Sequence, residues 1–170
     1  SHPFDGYANF PEVSSPLDIG KQSANQNIYT ITSYNDIGTT TKEGIKINPP
    51  YRTGQLDFGL SSLGTIDQSF LQILYGENDN NNNNTVYILD GNKLGAPWTT
   101  IWDTGGVDTI EIQSTSIEDA YINLQPANFQ TNSDTVNLGG ISTILGTDFL
   151  GGYLIGENVR IENASTGLGN

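Results

Sequence analysis

The chain of 170 residues lacks cysteine and methionine, and it has one histidine and only 6 basic residues against 19 acidic ones. Without cysteine, disulfide bonds, thiol catalysis and cysteine-based zinc sites are excluded. The formal net charge of −13 disfavours nucleic acid and anionic membranes as partners, because both are bound through lysine and arginine. No apolar run approaches the roughly 20 residues of a membrane span. The charge is typical of a solvated exterior or of a chain that collects cations.

The only histidine is His2, in the opening sequence "SHPFDGYANF". No signal peptide is recognisable and the first residue is not methionine, so we expect a processed, trimmed or excised chain. The tripeptide Ser1-His2-Pro3 by itself has two interpretations. It is an accidental start, such as a tag remnant, or it is the end of a motif whose first half lies upstream.

Residues 1–64 are rich in proline, glycine, serine, asparagine and threonine, which predicts long ordered loops with short strands. Within them, "NIYTITSY" (27–34) is β-like. From residue 85 onward, short alternating segments are separated by glycine or asparagine turns, the pattern of short strands. Their spacing of about 8–12 residues favours a sandwich, a barrel or a solenoid. The predicted fold class is therefore mainly β.

One helix is predicted, over "TIDQSFLQILYG" (65–76). Thr65 or Asp67 is the expected N-cap, and Gly76 lies where a C-terminal glycine belongs. The apolar residues of this segment are expected to form one buried face; they are Phe70, Leu71, Leu74 and Tyr75.

The sharpest local signal is "WDTGGVDTIEI" (102–112), in which Asp103 and Asp108 flank a turn containing Gly105 and Gly106. Two carboxylates and the carbonyl oxygens of a tight glycine turn supply the hard oxygen ligands that Ca²⁺ takes. A hairpin turn capped by aspartate side chains explains the same spacing. The spacing alone leaves both interpretations open.

Two other segments offer oxygen ligands. Glu162 and Asn163 in "NVRIENASTGLGN" (158–170) follow a predicted strand and precede a glycine-rich turn, which is similar to half of a G-G-x-G-x-D repeat that binds calcium in a β-roll. The asparagine run 78–84 has side-chain carbonyls for a cation, although its composition favours a solvated linker. No catalytic set is complete, because no nucleophile elbow and no phosphate-binding glycine loop are present.

Taken in order, these segments resemble the later part of a serralysin-type metalloprotease, a secreted, zinc-dependent and calcium-stabilised metzincin. "SHP" is similar to the end of the zinc motif H-E-x-x-H-x-x-G-x-x-H, and "YTITSYND" (29–36) to the family's methionine turn, with Thr32 in place of the methionine. "DQSFLQILYG", "TVYILD", "IWDTGGVDTIEI", "AYINLQPANFQ" and "GENVRIENASTGLGN" follow in the family's order.

The resemblance implies a fold and a domain division. Residues 1–76 would be the end of a metzincin-like catalytic domain, the loop-rich lower lobe of a zincin. Residues 77–170 would be a β-sandwich or parallel β-roll that leads into calcium-binding repeats of the RTX type. An extracellular, secreted location follows from the same resemblance.

The resemblance also implies site residues. His2 would be the third zinc ligand, and Tyr34 would stabilise the transition state. Calcium ligands would be the side chains of Asp103 and Asp108, the carbonyls of Gly105 and Gly106, and Glu162 from the far segment. Related proteins complete one site with backbone carbonyls before T-V-Y, where this chain has its asparagine run.

Proteolysis by this chain alone is not expected. A metzincin needs three histidines on zinc and a glutamate as general base, and this sequence has one histidine and no H-E-x-x-H. Zinc is expected only if the upstream half of the catalytic domain is present. The chain is then the remaining half of a protease, or a degenerate relative that serves as a calcium-rigidified spacer, which Thr32 favours.

The alternative is a structural or ligand-binding β-domain of a large calcium-dependent adhesin or surface protein. Exposed tryptophan or tyrosine rings would then stack on sugars. Trp102 lies in an alternating stretch and is expected in the core, whereas Trp98, after Pro97, stays open as a stacking residue.

Overall fold

The computed structural model describes residues 11–33, 35, 61–77, 79–90, 98–113, 119–129, 136–145 and 151–168. This part of the chain contains one α-helix, one short 3-10 helix at Lys21–Ser23 and seven strands. The prediction of a mainly β fold with one short helix is confirmed. No helix in the described ranges is long and apolar enough to cross a membrane.

The strands form two open sheets. The first is a three-stranded parallel sheet in the order β1-β3-β7, and the second is a four-stranded mixed sheet in the order β2-β6-β5-β4. The bounds are β1 Val86–Leu89, β2 Trp98–Ile101, β3 Thr109–Ile112, β4 Asp119–Tyr121, β5 Ile141–Leu145, β6 Gly152–Ile155 and β7 Asn163–Ser165. The pairs β2–β6 and all pairs of the first sheet are parallel, whereas β4–β5 and β5–β6 are antiparallel.

Alternation decides which face of the parallel sheet is buried. Tyr87 pairs with Ile110, which pairs with Ala164, and Leu89 pairs with Ile112 in the row above. Leu89, Ile110 and Ile112 are almost completely buried. Residues of the opposite face, such as Val86 and Ile88, are about half exposed. The period-2 pattern therefore places one face of this sheet on the core.

The core has two apolar clusters. One lies under the parallel sheet and includes Leu89, Ile110, Ile155 and Ile161. The second includes Ile28, Tyr29, Ile66, Trp98 and Leu154, so it draws on residues from both sides of position 76. This cluster therefore joins the two sides of the domain boundary predicted between residues 76 and 77. The boundary itself stays a prediction.

The helix α1 spans Thr65–Tyr75, as predicted, but its N-cap is Gly64. Asp67 is the capping side chain: its Oδ2 accepts from the Gly64 N–H at 3.0 Å and from the Ile31 N–H at 2.8 Å. The C-cap is Gly76 with φ 85°, and its N–H donates to the Gln72 carbonyl. Asp67 thus ties the start of α1 to the loop that precedes it.

The predicted buried face of α1 is wrong. Phe70, Leu74 and Tyr75 are 56%, 69% and 80% exposed, and Leu71 is half-buried. The buried side chains are Thr65, Ile66, Gln68, Ser69 and Gln72. Most of this polar face finds hydrogen bonds: the Thr65 hydroxyl donates to the Leu138 carbonyl, Ser69 to the Thr65 carbonyl and Gln72 to the Glu157 carbonyl. Satisfied polar groups make burial of this face possible.

The segment 27–33, which is β-like in sequence, forms turns. The N–H groups of Tyr29 and Thr30 both donate to the Gln26 carbonyl, and Ser33 N–H donates to the Thr30 carbonyl. The Thr30 hydroxyl donates to Asp67 Oδ1 at 2.7 Å and lies 2.9 Å from the Thr32 hydroxyl. Local side-chain hydrogen bonds have outweighed the β propensity of threonine and isoleucine here.

Candidate metal site

Three chain segments stack at one edge of the parallel sheet, where the loops before β1, β3 and β7 meet. The Thr104 N–H donates to the Asn80 carbonyl and the Thr109 N–H to the Thr85 carbonyl, both at 2.9 Å. The Asn163 N–H donates to the Asp108 carbonyl at 3.0 Å. Parallel pairing brings equivalent ends of the strands together, so the asparagine run, the turn of 103–108 and residue 162 become neighbours.

The asparagine run is part of this stack. Asn80 Nδ2 donates to the Trp102 carbonyl at 2.7 Å, and Asn84 Oδ1 accepts from the Val107 N–H at 2.9 Å. These contacts attach residues 79–84 of the predicted linker 78–84 to the neighbouring turn, although these residues stay exposed to solvent. An amide side chain both donates and accepts, which lets a repetitive sequence bridge to the neighbouring turn.

Gly105 and Gly106 let the two turns approach closely. A Cβ on Gly105 would lie 2.9 Å from Asn82 Oδ1, and a Cβ on Gly106 would lie 2.5 Å from the Asn83 carbonyl oxygen. Gly106 also has a φ of 103°, a backbone angle that residues other than glycine rarely adopt. Both predicted glycines therefore lie directly against oxygen atoms of the asparagine run.

Asp103 is buried at the centre of the stack, with 1% of its surface exposed. Its Oδ2 accepts from the Tyr87 hydroxyl at 2.6 Å and from Asn81 Nδ2 at 2.8 Å, and its Oδ1 accepts from the Gly105 N–H at 3.3 Å. All three donors are uncharged, so they solvate the carboxylate without neutralising it.

Asp108 is equally buried, with 1% of its surface exposed. Its Oδ1 accepts from the Thr85 N–H at 2.8 Å, and its own N–H donates to Glu162 Oε2 at 2.8 Å. Glu162 Oε1 lies 3.5 Å from Arg160 Nε, and this arginine side chain is 86% exposed. The structure thus brings together Asp103, Asp108, Gly105, Gly106 and Glu162, the residues that the resemblance implies as calcium ligands.

The electrostatics of this cluster are unfavourable without a counter-ion. Burial raises the pKa of Asp108, the negative charges of Asp103 and Glu162 raise it further, and the Thr85 N–H opposes them. Burial and the hydrogen bond to Asp103 raise the pKa of Tyr87, so its hydroxyl stays protonated and keeps donating. Among the described residues, no ion pair of Asp103 or Asp108 with lysine or arginine is found.

These residues fit a calcium ion in part. Within the described ranges, no group of three or more histidine, cysteine, aspartate or glutamate side chains is arranged to hold a metal. Calcium, however, also takes backbone and amide carbonyl oxygens, and the glycine turn and the asparagine run supply these. Two buried carboxylates that have no cationic partner within the described part of the chain are the observation that favours a cation here.

Two residues of the cluster, Thr85 and Tyr87, escaped the sequence analysis, and Asn81 was considered only as part of the asparagine run 78–84. Tyr87 is the one that had a recognisable signal, because alternation in "TVYIL" puts Tyr87 on the same face as the buried Leu89. Tyr87 is partly buried against the core, and the hydroxyl of such a tyrosine usually finds a hydrogen-bond partner. Asn81 lies in a run of identical residues, where no pattern singles it out.

The zinc part of the prediction is not described by the structure. The predicted ligand His2 and the predicted catalytic residue Tyr34 both lie outside the described residues. Of the aromatic candidates, Trp98 is buried, with 1% of its surface exposed, and so does not offer a stacking face. Trp102, which was expected in the core, is only half-buried. Neither the models of known protein families nor the curated proteins compared with this chain yielded a match.

Proposed function

We propose that this chain is a calcium-binding fragment or degenerate relative of a secreted serralysin-type zinc metalloprotease. The observation that carries the calcium part is the pair of buried carboxylates, Asp103 and Asp108, which accept hydrogen bonds from uncharged donors and form no ion pair with a lysine or arginine among the described residues. The resemblance of the motifs carries the family part.

A calcium ion at this position has a structural role. Asp103 and Asp108 belong to the turn before β3, and Glu162 precedes β7. Ligands from these segments, together with the carbonyls of Gly105 and Gly106, would join two layers of the stack. A bound ion would offset the repulsion between the carboxylates and cross-link a chain that has no disulfide bonds.

The chain by itself is not proteolytic in this proposal. It has one histidine and no H-E-x-x-H sequence, so it cannot complete the three-histidine zinc site that its relatives use. The upstream half of a catalytic domain would be the partner that supplies the missing ligands to His2. Proteolysis by a longer chain with an intact zinc motif, but not by residues 1–170, is the expected result of a peptide-cleavage assay.

The alternative is a structural or ligand-binding β-domain of a large calcium-dependent secreted adhesin or surface protein. It uses the same calcium site and differs in what lies upstream. A longer protein that carries an intact H-E-x-x-H and cleaves peptides contradicts this alternative, and one that lacks the motif contradicts the protease history.

Thermal unfolding with calcium and with a chelator tests the calcium site. We expect calcium at about 100 times its Kd to stabilise the native chain by about 2.7 kcal/mol. Asp108→Ala should abolish this difference. The matched control is Glu111→Ala, because Glu111 lies on β3 but outside the cluster. Identical melting curves with calcium and chelator, or an equal effect of both substitutions, would contradict the assignment.

A further inference from the structure

The outward side of α1 is apolar and open to solvent. Phe70, Ile73, Leu74 and Tyr75 are 56%, 66%, 69% and 80% exposed. Phe70, Ile73 and Leu74 are neighbours on the helix surface, because residues three and four positions apart lie side by side. Single exposed apolar residues are common on protein surfaces, whereas a contiguous group of large ones marks an interaction site.

Hydrogen bonds on the opposite side of α1 hold this apolar side outward. The Thr65 hydroxyl donates to the Leu138 carbonyl, and the Gln72 amide donates to the Glu157 carbonyl. Rotating the helix to bury Leu74 would break both bonds, and buried polar groups that lose their partners are costly. The apolar side of the helix therefore stays on the outside of the described part of the chain.

Ile31 extends the apolar surface beyond the start of the helix. Its N–H donates to Asp67 Oδ2 at 2.8 Å, and Asp67 precedes Phe70 by three positions and Leu74 by seven, on the same side of the helix. Ile31 is itself 61% exposed. The outer α1 face is defined here as Ile31, Phe70, Ile73, Leu74 and Tyr75.

The outer α1 face offers no free charge to a partner. Asp67 is the one acidic or basic residue of Thr65–Tyr75, and its carboxylate accepts from the N–H groups of Gly64 and Ile31. A charged partner surface would lose its hydration against this face without compensation. The partner that fits therefore presents an uncharged, apolar surface.

The outer α1 face is large enough for a dimer. Its five residues are exposed by 56–80%, so they leave roughly 600 Å² accessible if a fully exposed residue of this size has roughly 200 Å². Two copies in contact would bury roughly 1,200 Å², the lower end of stable protein interfaces. A twofold axis brings the same patch of both copies together, so each face meets the uncharged apolar surface that it fits.

We propose that the outer α1 face binds the same face of a second copy of this chain, in a twofold-symmetric dimer with α1 packed against α1. The net charge of −13 makes the two copies repel each other, and salt screens this repulsion. Added salt therefore tightens the dimer, whereas it weakens a complex that is held by opposite charges. The proposal is independent of calcium binding and of the protease resemblance.

Analytical ultracentrifugation of the full chain in calcium-containing buffer tests the proposal. We expect a monomer–dimer equilibrium with a Kd of about 1–100 µM, as for small interfaces, and a Kd several-fold lower in about 0.5 M salt than in about 0.05 M salt. A chain that stays monomeric at about 1 mM, or a dimer that dissociates as salt is raised, overturns the proposal. Binding of a monomer to phosphatidylcholine vesicles would instead assign the face to a lipid surface.

Leu74→Glu locates the interface. It places a carboxylate of each copy within the apolar contact and should raise the Kd of the dimer at least about 100-fold. Leu168→Glu is the matched control, because Leu168 is 77% exposed, lies outside α1 and undergoes the same change in charge. Phe70→Ser adds no charge and should still weaken the dimer about tenfold. Equal Kd values for Leu74→Glu and Leu168→Glu would contradict the assignment of the interface to α1.

Melting temperatures separate a lost interface from a lost fold. They are measured at concentrations at which the native chain is monomeric, so that an exposed residue has no partner copy to pack against. Leu74→Glu and Leu168→Glu should then melt at the same temperature. A lower melting temperature for Leu74→Glu alone would show that Leu74 serves the fold of the monomer, which contradicts a free outer α1 face.

Discussion

Single side chains decide how the buried charge of Asp103 is tolerated. Its shortest hydrogen bond comes from Tyr87, at 2.6 Å, and hydrogen bonds to charged groups are stronger than those between neutral ones. Asn81 donates to the same oxygen at 2.8 Å. Losing one donor leaves a buried carboxylate that is less well solvated.

Tyr87→Phe therefore should lower the free energy of unfolding by about 1–3 kcal/mol in chelator. Chemical denaturation measures this. Tyr153→Phe is the matched control, because Tyr153 packs against Tyr87 with ring centroids 5.6 Å apart and its hydroxyl donates to the more exposed Ile88 carbonyl. A loss in Tyr87→Phe no larger than in the control would contradict the role assigned to this hydroxyl.

The raised pKa of Asp108 predicts an unusual pH dependence for the stability of the calcium-free chain. Its folded-state pKa is raised above 3.8, so folding favours the protonated carboxyl. At pH values above the folded-state pKa, the ionised Asp108 lowers the free energy of unfolding. This loss of stability disappears as the pH falls towards 3.8. In chelator, this carboxyl should therefore contribute a gain in stability when the pH is lowered from 7 into that range.

Asp108→Asn isolates this contribution, because the amide has similar size and no charge. The variant should be more stable than the native chain at pH 7 in chelator, and this advantage should shrink as the pH falls. Melting curves across the pH range measure both. An advantage that stays constant with pH would show that the titration of Asp108 is not responsible.

At the scale of elements, the helix shows where sequence patterns succeed and fail. Gly76 and the apolar period correctly predicted the existence and end of α1. The predicted buried face is wrong, because apolar spacing alone does not reveal the hydrogen bonds by which Thr65, Ser69 and Gln72 are buried. Polar residues can face a core when distant backbone carbonyls accept from them.

The inverted face of α1 makes a prediction about stability. Ile66→Ala should lower the free energy of unfolding by about 2–5 kcal/mol, since Ile66 is 6% exposed and lies in the second core cluster. Leu74→Ala on the same helix should change it by no more than about 0.5 kcal/mol, because Leu74 is 69% exposed. Comparable losses from both substitutions would contradict the orientation of the helix.

At the scale of the molecule, strand segments were predictable and their pairing was not. Alternation indicated the strand segments, but β1 pairs with β3 and β3 with β7, skipping the strands between them. Such partners are set by contacts across long stretches of chain, which no local pattern contains. The stacking of the asparagine run on the Asp103 turn depends on the same pairing, which explains why the run was interpreted as a linker.

The proximity of the residues in the candidate calcium site was predictable for a different reason, whereas calcium binding itself stays a prediction. Asp103, Gly105, Gly106 and Asp108 lie in one turn, so their proximity is local and follows from spacing. Glu162 was expected from the resemblance, and the parallel pairing of β3 with β7 brings it to Asp108.

The most direct test of the central claim is the metal content of the purified chain after dialysis against metal-free buffer, measured by elemental mass spectrometry. We expect about one or two calcium ions per chain, no zinc, and loss of calcium in Asp108→Ala. Zinc without calcium, or neither metal in a chain that melts identically with added calcium, would contradict it.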